Sequence, residues 1–361
     1  MQARPQPGVG YGSRARSCAR PNAGASQLQP IHLTYLNGPD IERLALSDTE
    51  ILDAVERALD AQGRKAVVIE PRVHLVPHDS SLGHFNVLRG VVHPLGLAGV
   101  KVVGDFVNNH LAGLPSELAL LALFDPSTGV PRAILDATSL TAMRTGAVTA
   151  LGGKYLARES SKILGHIGAR GTSYWNVRLL DHYFDFDEVR VHSKRAESRT
   201  EFAERLSRDL GKPVIAVDTW EHCVRGADIV VEASRLAEPQ PLLKTDWIRP
   251  GALVMPYGTM SALELSLTDI MSKVIVDDWG QCREGLPYGA LRRHVDLGKI
   301  TEQSLHAELG QIVAGLKPGR ESEQETILFW HRGLSLSDIA LGHAMLEKAA
   351  ALGVGQTLRF A

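Results

Sequence analysis

The pattern of apolar and polar positions changes near residue 160 and divides the chain into two parts. Before that point it predicts one helix followed mainly by strands. The helix begins at a capping box, Ser47-Asp48-Thr49-Glu50, and presents an apolar face over residues 51–59. Strands are predicted from the apolar runs that follow, at 67–69, 73–76, 99–103, 118–124 and 133–136.

From residue 160 onward, short apolar runs alternate with amphipathic segments. A strand at 162–167, a glycine turn and a helix at 172–183 open this part, and a strand at 188–192 and a helix at 198–210 follow. Further strands are predicted at 214–217, 227–233, 252–257 and 274–277, which makes six. This alternation predicts an α/β fold with a Rossmann-type, doubly wound parallel sheet.

The 361 residues are too many for one ordinary core, so two domains are expected. After residue 300 the pattern predicts helices over 301–315 and 336–353, which we expect to pack back on the first domain. Residues 1–28 contain four arginines and three prolines but no acidic residue. A disordered tail is predicted there, with a transit peptide as the alternative.

Composition excludes several classes of protein. The net charge is −2, whereas a dedicated nucleic-acid-binding protein carries a clear basic excess. No apolar run approaches the roughly 18 residues that span a bilayer. The cysteines, Cys18, Cys223 and Cys282, are odd in number and far apart, so neither a disulfide framework nor a zinc cluster is predicted and a cytoplasmic location is expected. The histidine spacings indicate no metal site.

The glycine turn after the first strand of the second part is a candidate dinucleotide-binding loop. Such a turn places backbone N–H groups and a helix N-terminus against a pyrophosphate. The usual fingerprint, Gly-x-Gly-x-x-Gly/Ala, is incomplete because Arg170 replaces its second glycine and Ser173 its last position. Residues expected to hold the pyrophosphate are Gly168, Ala169, Arg170, Gly171 and Thr172.

The end of the next strand indicates which ribose is bound. An acidic residue there favours a free 2′-hydroxyl. This chain has Ser193, Lys194 and Arg195 instead, a hydroxyl followed by two cations. NADP(H) is therefore favoured as cofactor over NAD(H). The alternatives are NAD(H) binding and a solvated loop that is basic by coincidence.

Several strings, from about residue 36 to residue 358, resemble the ornithine cyclodeaminase/mu-crystallin family. The most specific are 113–116 (Gly-Leu-Pro-Ser), 124–129 (Phe-Asp-Pro-x-Thr-Gly) and 141–147 (Thr-x-x-Arg-Thr-Gly-Ala). Towards the C-terminus the resemblance continues at 306–312 (His-Ala-Glu-Leu-Gly-x-Ile) and 317–320 (Lys-Pro-Gly-Arg). The resemblance implies that the Rossmann domain, assigned to 151–299, is inserted into an α+β domain made of 29–150 and 300–361. That second domain would bind substrate and form a homodimer.

The resemblance also implies particular site residues. Arg72, Lys101 and Arg144 would surround the carboxylate of an amino or imino acid, and Lys101 would act as the general acid. Residues that would border the cofactor are Thr145, Ser234 and Gly258. Weaker candidates for the substrate pocket are the stretches at 84–86 and 330–332, whereas Asp277 is interpreted as structural.

One departure from the family pattern bears on the reaction. Amino-acid cyclodeaminases of the family have an aspartate two residues after the glycine that ends the fifth strand, and this chain has Met260 there. A thioether cannot accept a proton. The leading hypothesis is therefore an NAD(P)(H)-dependent imine reductase or amino-acid dehydrogenase. The alternatives are an ammonia-releasing cyclodeaminase that recycles NAD+ internally and a non-catalytic small-molecule binding protein.

Overall fold

The structure is a computed structural model, and it describes residues 29–77, 83–284 and 288–361. The predicted tail at 1–28, with Cys18, lies outside the described residues. Strands in chain order are β1 (His32–Leu36), β2 (Val67–Ile69), β3 (Val73–Leu75), β4 (His84–Val92), β5 (Leu97–Asp105), β6 (Glu117–Phe124), β7 (Pro131–Asp136), β8 (Ile163–Ile167), β9 (Glu188–His192), β10 (Val214–Ala216), β11 (Ile229–Glu232), β12 (Leu253–Pro256), β13 (Lys273–Val276), β14 (Ala307–Glu308), β15 (Ile327–Trp330) and β16 (Gln356–Arg359). Helices are α1 (Gly38–Leu44), α2 (Asp48–Gly63), α3 (Thr138–Leu156), α4 (Ser173–Phe184), α5 (Ala196–Leu210), α6 (Trp220–Val224), α7 (Trp279–Arg283), α8 (Arg292–Asp296), α9 (Leu309–Val313) and α10 (Ser335–Leu352).

The strands form two sheets, and the predicted fold class is confirmed. In the first sheet the order is β16-β1-β7-β6-β5-β4-β2, with β3 beside β4, and the central pairs are antiparallel. The second sheet is parallel throughout, in the order β10-β9-β8-β11-β12-β15-β13-β14. Its first five strands have the Rossmann arrangement, with β8 and β11 at the point where the winding reverses.

Local signals account for the helices that matter to the site. The predicted capping box of α2 is present, since the Ser47 hydroxyl accepts from the Glu50 N–H at 3.2 Å and the Glu50 carboxylate accepts from the Ser47 N–H at 2.7 Å. The helix buries its apolar face against α9 and α10. The long helix α3 packs between the two sheets, so one hydrophobic core runs from the first sheet into the second.

Two predictions about the C-terminal third are wrong. Residues 301–315 do not form one helix, because the His306 N–H donates to the Val274 carbonyl at 2.9 Å and draws this segment onto β13 as β14. The predicted domain division at residue 300 is also wrong, because β14 and β15 belong to the second sheet. The division at 150/151 falls inside α3, which was not predicted. No helix in the described ranges is long and apolar enough to cross a membrane.

Candidate active site

The three predicted substrate cations meet where β5, α3 and the start of α10 come together. Lys101 lies on β5 and is completely buried. Its ammonium donates to Asp338 Oδ1 at 2.5 Å and to Thr141 Oγ1 at 3.2 Å. Arg144, on α3, donates from Nε to the same Asp338 oxygen at 2.8 Å. One carboxylate therefore holds two buried cations.

Asp338 was missed by the sequence analysis. It lies in the first turn of α10, where every residue from Ser335 to Gly342 is buried. Its other oxygen, Oδ2, is buried and has no hydrogen-bond partner in the part of the chain that the structure describes. The available signal was a single acidic residue inside a helical segment that is otherwise uncharged and mostly apolar. Because an unpaired charge is seldom buried, such a residue predicts a cationic partner elsewhere in the chain.

Arg72 approaches the same region from the loop before β3. Its Nη2 donates to the carbonyls of Arg332 and Gly333 at 2.5 and 2.8 Å, and its buried Nε has no partner within residues 29–77, 83–284 and 288–361. Gly333 has φ +82°, and a Cβ there would lie 1.9 Å from Arg144 Nη1. A side chain here would strain the backbone and displace the Arg144 guanidinium, so glycine suits this turn.

A second carboxylate fixes the turn that follows β15. Asp277 Oδ2 accepts from the N–H groups of Arg332 and Gly333, both at 2.8 Å. This agrees with the structural interpretation of Asp277. The same turn brings the Arg332 guanidinium to the site, where Nη1 donates to the Glu284 carbonyl at 2.7 Å. Arg332, from the stretch at 330–332, therefore lies close to Arg72.

Burial and mutual repulsion change the acidity of these cations. Burial and the nearby Arg144 guanidinium lower the pKa of Lys101 to about 7, against the opposing effect of Asp338. Burial, followed by Arg332 and Arg144, lowers the pKa of Arg72 to about 9. The site is thus short of negative charge, which favours an anionic ligand, and Lys101 can hold or release a proton near neutral pH.

A network of polar side chains lies between the cluster of cations and the glycine turn. His331 forms a hydrogen bond of 3.0 Å with Thr149, and its ring centroid lies 4.6 Å from that of Tyr257. Burial lowers the pKa of His331 to about 3. The Tyr257 hydroxyl bonds the Thr172 hydroxyl at 2.5 Å and accepts from the Asn176 amide. Thr172 therefore uses its hydroxyl inside the protein.

The glycine turn has the geometry that a pyrophosphate requires. Gly168 has φ +120°, and a Cβ there would lie 2.8 Å from the Ala233 carbonyl oxygen. The turn therefore packs closely against the end of the neighbouring strand β11. Gly171 also has positive φ, and α4 begins directly after Thr172, whose side chain makes no cap hydrogen bond to the helix. Arg170 is exposed beside them and Ala169 is half-buried. The residues present fit a dinucleotide here.

Other predicted cofactor residues lie along the same carboxyl edge of the second sheet. Ser193 is half-buried, and Lys194 and Arg195 are exposed after β9. Arg199, which the sequence analysis did not select, donates to the Ser193 carbonyl at 3.3 Å. Three further residues lie along this edge or beside it. Thr145 is buried and its hydroxyl donates to the Thr141 carbonyl. The buried Ser234 hydroxyl has no partner among the described residues, and Gly258 packs on the Glu232 carboxylate.

Met260 is half-buried after β12, in the position that the resemblance gives to the cyclodeaminase aspartate. Glu232, at the end of β11 beside Gly258, is fully buried, and its Oε2 has no hydrogen-bond partner among the described residues. Burial raises the pKa of Glu232 to about 7. Among the described residues, no group of three histidine, cysteine or acidic side chains has an arrangement that could hold a metal ion.

Comparison with known proteins agrees with this geometry. Residues 35–352 match the model of the ornithine cyclodeaminase/mu-crystallin family. Alanine dehydrogenase of Archaeoglobus fulgidus is 30% identical over 329 residues, which cover 90% of this chain and 98% of that protein. The structure of Thermococcus litoralis Delta(1)-pyrroline-2-carboxylate reductase, in complex with NADH and L-proline, gives a TM-score of 0.83 at 31% identity and covers 90% of this chain and 99% of that one. An archaeal alanine dehydrogenase dimer with bound NAD gives a TM-score of 0.83 at 29% identity and covers 92% and 100%. The chain belongs to the ornithine cyclodeaminase/mu-crystallin family, as its sequence strings predicted.

Proposed function

We propose that this chain is an NAD(P)(H)-dependent oxidoreductase that interconverts an imino acid and the corresponding amino acid. The observation that carries this proposal is the cluster of Arg72, Lys101 and Arg144 beside a dinucleotide turn. The relatives named above, an alanine dehydrogenase and a pyrroline-2-carboxylate reductase, support the same reaction class. Cyclodeamination is disfavoured because Met260 offers no carboxylate.

The residues divide the reaction between them. When bound at the glycine turn, NAD(P)H would supply the hydride for the imine carbon. Arg72 and Arg144 hold the substrate carboxylate and fix the imine carbon for that transfer. Lys101 donates a proton to the imine nitrogen, so that reduction yields the amine, and it accepts the proton in the reverse direction. Asp338 orients the ammonium of Lys101.

The first test is a spectrophotometric assay of NADPH and NADH with cyclic ketimines and with 2-oxo acids plus an amine. We expect oxidation of the reduced cofactor that depends on the imine. Release of ammonia and a cyclic imino acid, without net change in cofactor absorbance, would instead identify a cyclodeaminase. Saturable binding without any turnover would support the non-catalytic alternative.

For the cofactor we propose NADP(H) in preference to NAD(H). Ser193, Lys194 and Arg195 offer a hydroxyl and two cations where a 2′-phosphate would lie, and neither cation forms an ion pair within the described ranges. Ser193→Asp is expected to shift the ratio of kcat/KM for NADPH to that for NADH by about ten- to a hundredfold towards NADH, through charge repulsion. Thr200→Asp, exposed one turn further along α5, is the control and should leave the ratio unchanged.

We also propose that the chain works as a homodimer formed through the outer face of the first sheet. That face exposes large apolar side chains at 36–51% of their surface: Val73, Leu75, Phe85, Val100, Leu118 and Leu120. Exposed apolar patches on a sheet mark interfaces. The occupant is a second copy, because the archaeal alanine dehydrogenase that matches over 92% of this chain is a dimer.

Leu120→Glu is expected to produce a monomer, since it places a charge at the centre of this apolar face. The measurement is the mass in solution by light scattering after gel filtration. Leu316→Glu, at a leucine that is 59% exposed in a turn elsewhere, is the matched control and should keep the wild-type mass. If both variants and the wild type have one mass, the face is not the interface.

We propose a cytoplasmic location on the basis of the cysteines. Cys223 and Cys282 are both free and buried. Burial raises the pKa of the Cys223 thiol to about 12 and also raises that of Cys282, so both stay protonated. Thiols without a disulfide partner are typical of a reducing compartment.

A further inference from the structure

A second group of polar side chains lies on the same face of the first sheet as Lys101. Residues two apart on a strand point to the same face. The cross-strand pairs His74↔Asn86 and Leu88↔Lys101 therefore place all four side chains on one face. Asn86 is two residues from Leu88, so this group begins about 7 Å along the sheet from Lys101.

The group consists of rings and amides whose hydrogen bonds are incomplete. His74, His84 and Tyr288 lie together, with ring centroids 5.3–5.6 Å apart. Both ring nitrogens of His74 and Oδ1 of Asn86 are buried without a partner among the described residues. The amide nitrogen of Asn86 bonds the His84 ring at 3.2 Å. Unpaired buried polar atoms are costly, which indicates that a polar ligand satisfies them.

Charge specifies what kind of polar ligand fits. Around the site the cations Arg72, Lys101, Arg144 and Arg332 outnumber the carboxylates Asp277 and Asp338 by two. Neither Arg72 nor Arg332 forms an ion pair within the part of the chain that the structure describes; both donate to backbone carbonyls instead. The carboxylate opposite His84, Asp105, is already paired with Arg235 at 2.6 Å.

His74 shows the effect of this excess. Burial, followed by the positive charges of Arg72, His84 and Arg332, lowers the pKa of His74 to about 4. The ring is therefore neutral near pH 7 and can donate one hydrogen bond to an anion. A substrate with one carboxylate, held by Arg72 and Arg144, would leave a net positive charge in a buried site.

We propose that the substrate side chain carries a second carboxylate, so that the amino acid formed is a 2-amino dicarboxylic acid. This rests on the proposed function. The first carboxylate binds Arg72 and Arg144 near Lys101, and the second lies against His74, Asn86 and Arg332. If the side-chain amide of Asn86 is rotated so that its oxygen and nitrogen exchange places, its N–H group donates to this second carboxylate. Hydride and proton still go to the α-carbon and its nitrogen, so the second carboxylate takes no part in the redox step.

The test compares two unreactive ligands of equal size, succinate and its half-amide succinamate, by calorimetric titration of the enzyme saturated with NADPH. We expect succinate to bind about ten- to a hundredfold more tightly, because its second carboxylate forms charge-assisted hydrogen bonds. Equal affinities, or tighter binding of succinamate, would overturn the proposal. Because no turnover is needed, this result is independent of whether the proposed oxidoreductase activity is correct.

Two variants locate the second carboxylate. His74→Phe and Arg332→Gln are each expected to reduce the preference for succinate at least severalfold, and the second variant covers the case in which the first does not fold. His32→Phe, at an exposed histidine on β1, is the control and should keep the preference. Unchanged preference in both site variants contradicts the placement.

Turnover gives a separate comparison, L-aspartate and L-glutamate against L-asparagine and L-glutamine in the oxidative direction. We expect the acids to have the higher kcat/KM. If the amides or L-alanine are the better substrates, the inference is wrong while the proposed function stands. If no amino acid and no imine changes the cofactor absorbance, the proposed function is wrong.

Discussion

Replacing Lys101 by methionine is expected to lower kcat/KM for imine reduction by about 10²- to 10⁴-fold, the usual contribution of a positioned general acid. The thioether fills a similar volume but carries no proton. Folding should be preserved, because the change removes a buried charge and leaves Asp338 paired with Arg144. The measurements are steady-state kinetics and thermal unfolding of the same preparation.

Lys154→Met is the matched control, since that lysine lies on α3 and pairs with Glu56 at 2.7 Å, away from the cluster. Its kinetics should equal those of the wild type. Retention of more than a tenth of the activity by Lys101→Met would remove Lys101 from the role of proton donor.

The wild-type pH profile provides an independent check on Lys101. Its pKa is lowered to about 7, chiefly by burial. Reduction requires the protonated ammonium, so kcat/KM in that direction should fall as the pH rises through about 7. Oxidation requires the neutral amine, so kcat/KM in that direction should rise over the same interval. Profiles with the same direction in both reactions contradict the assignment.

Asp338→Asn is expected to cost about 3–5 kcal/mol in free energy of unfolding, because it leaves Lys101 and Arg144 buried without their counter-charge. Both cations donate to one oxygen of this side chain, and both are almost completely buried. Denaturant unfolding measures the loss as a lower midpoint at unchanged slope. Asp269→Asn, at the exposed pair with Lys299, is the control and should cost under about 1 kcal/mol.

The loss from Asp338→Asn should depend on pH in a defined direction. The folded wild type releases the Lys101 proton above about pH 7, whereas the unfolded chain keeps it to about pH 10. Without Asp338 the folded-state pKa of Lys101 falls further. Below about pH 7, therefore, Lys101 binds a proton in the folded wild type more readily than in the folded variant, and this stabilises the wild type. The difference between wild type and variant should therefore be larger at pH 6 than at pH 8.5, by about 1 kcal/mol. A loss that grows with pH would contradict this account.

Much of the second sheet follows directly from the sequence because each strand is a short apolar run between amphipathic helices. The strands at β8 and β9 and the helix α4 lie within two residues of their predicted bounds. The strand β15 was not predicted, although Ile-Leu-Phe-Trp at 327–330 is a continuous apolar run. A run of four residues does not reveal which sheet it joins, since pairing with β12 and β13 is decided by tertiary packing.

The active site was predictable only in part. The family strings selected Arg72, Lys101 and Arg144, and the structure places all three in one region. Asp338 was not predicted and Arg332 only as part of a weaker candidate stretch, and both lie more than 180 residues later in the chain than Arg144. Periodicity reports on neighbours within a helix or strand, so it carries no information on pairs brought together by such distant segments.

The position of β15 sets a condition on how the chain folds as it is synthesised. β15 lies between β12 and β13 in the second sheet, so β13 is not joined to the strands before it until residue 330 has left the ribosome. Until then the inner edges of β12 and β13 remain unpaired, and such edges are prone to aggregation. The second sheet of the nascent chain must therefore stay open through about fifty residues of synthesis. The segment that closes this sheet also contains Arg332 and Asp338, so the second sheet and the active site are completed together.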